Sequence, residues 1–280
     1  MFRAARESKN QQAGLGDAHF TLDAVTILAI SAGILWAAHD LAFMTVFVPA
    51  VLIARTAAFH FLAEKPWPAW AEMFVVLGCA LLGGFNDWNS VVRHRIYDYT
   101  VPVSRPDLTT IPLWMLLYWG MILRFFFTLA RWRRLGPPAA PRNAVWLGRP
   151  FKNPYLKAGL ELALLIATRQ CIYRLYDDAV WSWIPFAGAI GLYAVSLRPS
   201  AHEWKILIVM LVGGPIVEAL YIQVGGLHRY HLGVFFGVPV SIALWWSLAA
   251  LIWSDLSFRA ASWFANIRDG QHTLPQSPLQ

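Results

Sequence analysis

The chain is a succession of long apolar runs separated by short polar breaks, and that pattern leaves few folds open. A helix needs about 20 mainly apolar residues to cross a bilayer. Such runs occur at residues 21–38, 41–62, 68–87, 110–131, 155–173, 180–197, 204–222 and 233–254. The second, fifth and sixth are the weakest, and the fifth contains Lys157, Glu161 and Arg169. Only 14% of the 280 residues are charged, against about 25% in a soluble domain. So few charges cannot cover a water-facing surface of this length. The 15 Trp agree, because indole rings favour the membrane interface. The sequence therefore predicts an all-α polytopic transmembrane helical bundle of about eight spans.

Orientation follows from where the basic residues fall. With the N-terminus inside, fifteen Lys and Arg lie on the inner side and six on the outer side. Seven of the inner ones belong to a single loop and its edges, from Arg131 to Lys157. This predicts a multi-pass protein of the cell inner membrane with both termini cytoplasmic. The net charge of +7 is then topological, with contact to anionic lipid headgroups. No basic module or basic helix points to nucleic acid.

The expected organisation is a polar N-terminal segment (1–20), a first four-helix half (21–131), a basic Pro-rich cytoplasmic loop (132–154), a second four-helix half (155–256) and a tail (257–280). The first span reads as an uncleaved anchor, and the residues after Ile267 read as disordered. Cys79 and Cys171 are expected to be thiols packed as small hydrophobes, not a disulfide.

The two halves echo each other. Gly83-Gly84, Asp87, Tyr97, Pro112 and Trp119 are answered by Gly213-Gly214, Glu218, Tyr230, Pro239 and Trp246, at offsets of 130, 131, 133, 127 and 127. Similar offsets over five features predict a duplicated four-helix unit. Four spans is an even number, so the repeats would be parallel, related by an axis along the membrane normal.

Ionisable groups inside spans are costly, and they mark either function or helix pairing. Glu218 follows two glycines and Pro215 in an apolar helix; a desolvated carboxyl there suits proton donation, or pairs with Arg93 or Arg174. Asp87 sits among Asn86, Trp88 and Asn89. Arg124 and Arg55 should face the bundle interior, with Glu161 a candidate partner for Arg124. His228 and His231 are spaced as a metal pair, but in an outer loop they read as interfacial, and no metal or cofactor is expected. Asp177-Asp178 reads as a solvated turn.

The stretch Gly213-Gly214-Pro215-Ile216-Val217-Glu218, with Gly225-Gly226-Leu227-His228-Arg229-Tyr230, Gly237-Val238-Pro239 and Trp245-Trp246, resembles small bacterial membrane proteins of carotenoid biosynthesis. It is more loosely similar to integral-membrane terpene and lycopene cyclases. The resemblance covers about 45 residues, and lycopene cyclase domains carry paired acids after a proline, where this chain has a single Glu218. It implies an integral-membrane enzyme that protonates an isoprenoid or lipid-like substrate, as a cyclase, hydratase or isomerase. Glu218 and Asp87 would be catalytic. Asn86, Trp88, Asn89, Tyr97, Gln223, His228, Tyr230 and Trp246 would bind substrate. The alternatives are a membrane transporter, a lipid-binding protein, or a structural subunit whose protein partner is unknown.

Overall fold

A computed structural model describes residues 15–62, 65–136, 145–146, 149–150 and 155–268. Most of the expected 1–20 segment, most of the Pro-rich loop and the tail from 269 lie outside the described residues. Eight α-helices are present among the described residues: α1 (Asp17–Ala37), α2 (Leu41–His60), α3 (Ala69–Asp87), α4 (Leu113–Arg131), α5 (Tyr155–Leu175), α6 (Ile184–Leu197), α7 (Ala201–Gln223) and α8 (Val240–Arg268). Six are long and apolar enough to cross a membrane, namely α1 to α4, α7 and α8. The chain is thus an all-helical, multi-pass membrane protein. Helix α5 has the length but carries Lys157, Glu161, Arg169 and Arg174. Helix α6 has only 14 residues.

Local chemistry sets the helix limits. The Asp40 carboxylate accepts from the Phe43 N–H at 2.9 Å and starts α2 directly after α1, which makes the two a tight helical hairpin. Ser200 and Glu203 form a reciprocal capping box at the start of α7, satisfying two N–H groups that the first turn would orphan. Arg198, with φ +46°, turns the chain out of α6. Helix α8 differs from expectation at both ends. Residues 233–239 form a loop, with Gly237 at φ +85° and Pro239 lacking an N–H. Beyond 256 the helix runs on to Arg268.

Helices α4 and α8 form the centre. Trp119 and Trp246 stack between them, centroids 6.0 Å apart and planes 21° apart, and the Trp253 indole donates to the Leu123 carbonyl at 2.8 Å. Helix α3 lies against α4, and α7 against α8. Glycine permits each approach. A Cβ on Gly83 would stand 2.6 Å from the Trp119 Cβ, and one on Gly214 would stand 2.6 Å from the Trp246 Cγ. The outer faces of the helices carry exposed Leu28, Val46, Ile53, Leu81, Val195 and Val212, an apolar belt suited to lipid.

After α3 the chain widens into a π-turn, Trp88–Arg93, and enters β1 (Tyr97–Tyr99). After α7 comes β2 (His228–Tyr230). The two strands pair antiparallel, with Tyr97 opposite Tyr230 and Tyr99 opposite His228. This small ribbon closes one end of the bundle, the strand end, over α3, α4, α7 and α8.

Candidate functional site

At the strand end, period-2 alternation turns Tyr97 and Tyr99 of β1, and His228 and Tyr230 of β2, toward the helices. Two carboxylates meet them there. Asp87, fully buried at the end of α3, accepts from the Tyr97 hydroxyl on Oδ1 and from the Tyr99 hydroxyl on Oδ2 at 2.6 Å. Glu218, near the end of α7, accepts from the Tyr230 hydroxyl on Oε1 and from the Trp246 indole on Oε2 at 2.6 Å. His228 Nε2 lies 3.4 Å from Glu218 Oε1. The Tyr97 and Tyr230 rings stand 5.0 Å apart, so the two acids share one aromatic cluster. Burial, then the neighbouring carboxylate, pushes the phenols of Tyr97, Tyr99 and Tyr230 well above the usual tyrosine value of 10.0.

Two cavities flank the Trp119–Trp246 stack. One, of about 340 Å³, runs between α1, α4, α7 and α8, and Glu218, His228, Tyr97, Tyr99 and Tyr221 line it. The other, of about 370 Å³, lies between α3, α4, α5 and α8, with Asn86, Asn89, Arg93, Arg169 and Gln170 in its wall. Both volumes fall in the range of small-molecule sites. The rest of each wall is mostly aliphatic and aromatic.

The expected residues divide as follows. Glu218, Tyr97, His228 and Trp246 line the first cavity. Asn86, Asn89 and Trp246 line the second. Tyr230 stands behind Glu218 as its hydrogen-bond donor. Asp87 lines neither cavity and reaches the first through Tyr97 and Tyr99. Trp88 is 45% exposed on the outer surface. Gln223 donates to the Phe236 carbonyl at 3.0 Å and borders a separate cleft with His39 and Asp40. The arginines proposed as Glu218 partners are not its neighbours; phenol, indole and imidazole take that place.

The opposite end of the bundle holds a network the sequence reading missed in part. Arg124 does not reach Glu161. Its Nε donates to Glu72 Oε1 at 2.9 Å and its Nη1 lies 3.3 Å from Asp23 Oδ2. Arg55 joins the same acids, with Nη2 to Asp23 Oδ1 at 2.7 Å and Nη1 to Glu72 Oε1. Thr128 and Trp67 complete the shell. In the second half, Lys157 donates to Glu203 at 3.0 Å and faces Glu161 at 3.6 Å and Asp255 at 3.5 Å, while Tyr193 donates to both glutamates at 3.1 and 3.2 Å. Glu72 and Glu203 are 131 residues apart, as are Asp87 and Glu218. That shared offset is the signal that would have found them. Both cysteines are free, Cys79 buried and Cys171 half-buried. Asp178 caps an exposed turn through the Val180 and Trp181 N–H groups.

Compared with protein-family models, with curated proteins and with solved structures, the chain matches none.

Proposed function

We propose that this is an integral-membrane enzyme that admits an isoprenoid or lipid-like molecule to the Glu218 cavity and starts reaction by protonating a C=C bond. One observation carries the reading. Glu218, with Tyr97, Tyr99 and His228, forms the polar end of a cavity that is otherwise almost wholly apolar. In this reading Glu218 is the general acid. The Trp246 indole only donates, so it holds Oε2 as an acceptor, which leaves Oε1, beside the Tyr230 hydroxyl, as the oxygen that passes the proton.

Transfer of that proton to one alkene carbon leaves a cation on its neighbour. Trp119, Trp246 and Tyr99 offer π-faces to it. Asp87, one phenol away from the cavity, is the partner that takes the proton back or stabilises the cation. Attack by a second C=C bond moves the cation to that bond's other carbon, and attack by water makes it an oxonium. In cyclisation, isomerisation and hydration alike, loss of a proton to Glu218, or through Tyr99 to Asp87, restores neutrality. Two carboxylates with different surroundings thus take different roles.

The same proposal includes eight spans in two parallel four-helix repeats, an inner-membrane location, and the strand end outside with both termini cytoplasmic. Matching contacts support the repeats: Gly83 on Trp119 and Gly214 on Trp246, Tyr97 on Asp87 and Tyr230 on Glu218. They also keep a transporter or lipid carrier as the second reading, since repeats can rock about a shared axis.

The test is Glu218→Gln in a host that makes a polyprene precursor, with product and bound lipid identified by mass spectrometry. The enzyme reading expects normal expression, bound polyprene and no product. Full product yield overturns it, and a polar solute in place of a lipid favours the transporter.

A further inference from the structure

The cavity between α3, α4, α5 and α8 has an apolar body and a cationic strand end, and its chemistry is unlike that of the Glu218 cavity. Arg169 sets it. The residue is 8% exposed, and burying a charge without an opposite charge is costly. Nη2 donates to the Ser90 hydroxyl at 2.7 Å. The guanidinium lies over Trp245 at 4.7 Å and Tyr173 at 5.2 Å. Nε is buried with no acceptor, and no carboxylate among the described residues pairs with the group. Arg55 and Arg124, by contrast, each meet two carboxylates.

The other half shows that the fold does not require a cation at this place. Ser31 lies 138 residues before Arg169, Tyr221 lies 131 after Ser90, and Tyr118 lies 127 before Trp245. These three form a closed hydroxyl cluster: Ser31 Oγ is 3.0 Å from the Tyr118 hydroxyl and 2.6 Å from that of Tyr221, and the two tyrosines bond each other. The second half replaces this satisfied trio with a guanidinium that has a donor to spare and opens on a cavity. Asn86, Asn89 and Gln170 add amides beside it, and Arg93 adds a second cation. Phe126, Ile252 and Trp253 form the inner wall.

We propose that this cavity is a second binding site, for a single-chain amphiphile with an anionic head, phosphate or carboxylate. The head takes the Arg169 guanidinium and the amides, and the chain runs toward the middle of the bundle. That is the direction a lipid takes in the leaflet at the strand end. The site is independent of the Glu218 reading.

The test uses the full chain in uncharged detergent, with binding read by thermal shift and native mass spectrometry. The probes are dodecyl phosphate, dodecanoate, dodecanol and inorganic phosphate. The site expects dodecyl phosphate or dodecanoate to bind about tenfold or more tightly than dodecanol, with inorganic phosphate giving no shift. The stronger of the two acids identifies the head. Arg169→Gln brings the acids to the level of dodecanol, and Arg169→Lys lies between. Ala249→Phe, which fills the apolar body, removes binding of all the chains. Glu218→Gln binds as wild type, which separates this site from the proposed reaction. Equal binding of dodecanol and the acids overturns the proposal, as does unchanged acid binding by Arg169→Gln. If Arg169→Gln fails to fold, undiminished binding by folded Ala249→Phe overturns it.

Discussion

A carboxylate buried in an apolar bundle must find donors, and at the strand end those donors are phenols. Tyr97 and Tyr99 serve Asp87, and Tyr230 serves Glu218. The benefit is reciprocal, because a phenol that donates to an acid and lies out of water resists ionisation. Burial first, and the adjacent carboxylate second, raises all three well above 10.0. The sign of the pH effect follows. An unfolded chain binds fewer phenol protons than the folded one above about pH 10, so stability falls there as pH rises. Below that pH their contribution is fully present. In an alkaline titration, phenolate absorbance from Tyr97, Tyr99 and Tyr230 should appear only together with loss of helical circular dichroism. Early, reversible ionisation of these three with the helices intact, read as phenolate absorbance that disappears in the Tyr97→Phe and Tyr230→Phe variants, would contradict the account. The acids and the two tyrosines of the echo were legible in the sequence as a repeat. Ser31, Tyr118 and Tyr221 were not, because a hydroxyl in an apolar run carries no signal until its partner, 87 to 190 residues away, is brought to it.

At the scale of elements, the close pair α7–α8 depends on Gly214, and α3–α4 on Gly83 together with Gly120, whose Cβ would stand 2.9 Å from the Val76 carbonyl oxygen. Gly83 and Gly214 face tryptophan side chains at a distance that leaves no room for a methyl group. Gly213, next to one of them, has nothing within 4 Å of its missing Cβ. Overpacking a filled contact costs about 1–3 kcal/mol, whereas an added methyl on an open helix face restores helix propensity. Gly83→Ala and Gly214→Ala should therefore lower the thermal midpoint in detergent, and Gly213→Ala should leave it unchanged or raise it. An equal effect of Gly213→Ala and Gly214→Ala would show that the tryptophan contact is not what the glycine serves. The sequence displayed both Gly-Gly pairs but not which member faces the neighbour. Helical phase against a partner decides that, and the partner is a tertiary fact. The π-turn at Trp88–Arg93 was equally invisible. It turns Asn89 and Ser90 inward, where they are buried, and leaves Trp88 on the outside.

For the whole molecule, the proposed eight spans require α5 and α6 to cross the bilayer. Hydropathy makes them the weakest spans because it counts charge without regard to direction. Lys157, Glu161 and Arg169 are buried against other helices, while Leu162 and Ile166 face outward at 54% and 53% exposure. Charges inside the bundle and leucines outside are the arrangement that the proposed eight spans require of α5. Helix α6, with 14 residues, is about 21 Å long at roughly 1.5 Å per residue, short of the ~30 Å hydrocarbon core. The exposed Val180 and Trp181 at its start extend the apolar surface toward the interface. Helices α5 and α6 also pack on α8 as α1 and α2 pack on α4, which supports the proposal of eight spans. The turn between them, at Asp177-Asp178, separates the two outcomes. With eight spans it lies outside, on the same side as β1 and β2; with six it stays with the termini. An alkaline phosphatase reporter inserted at Asp178 in a bacterial host should be active, one inserted at Arg198 inactive, and one inserted after Asp107 active in either case. An inactive reporter at Asp178 beside an active one after Asp107 would reduce the protein to six spans. It would also remove the outer-face placement of Arg169 from the amphiphile site.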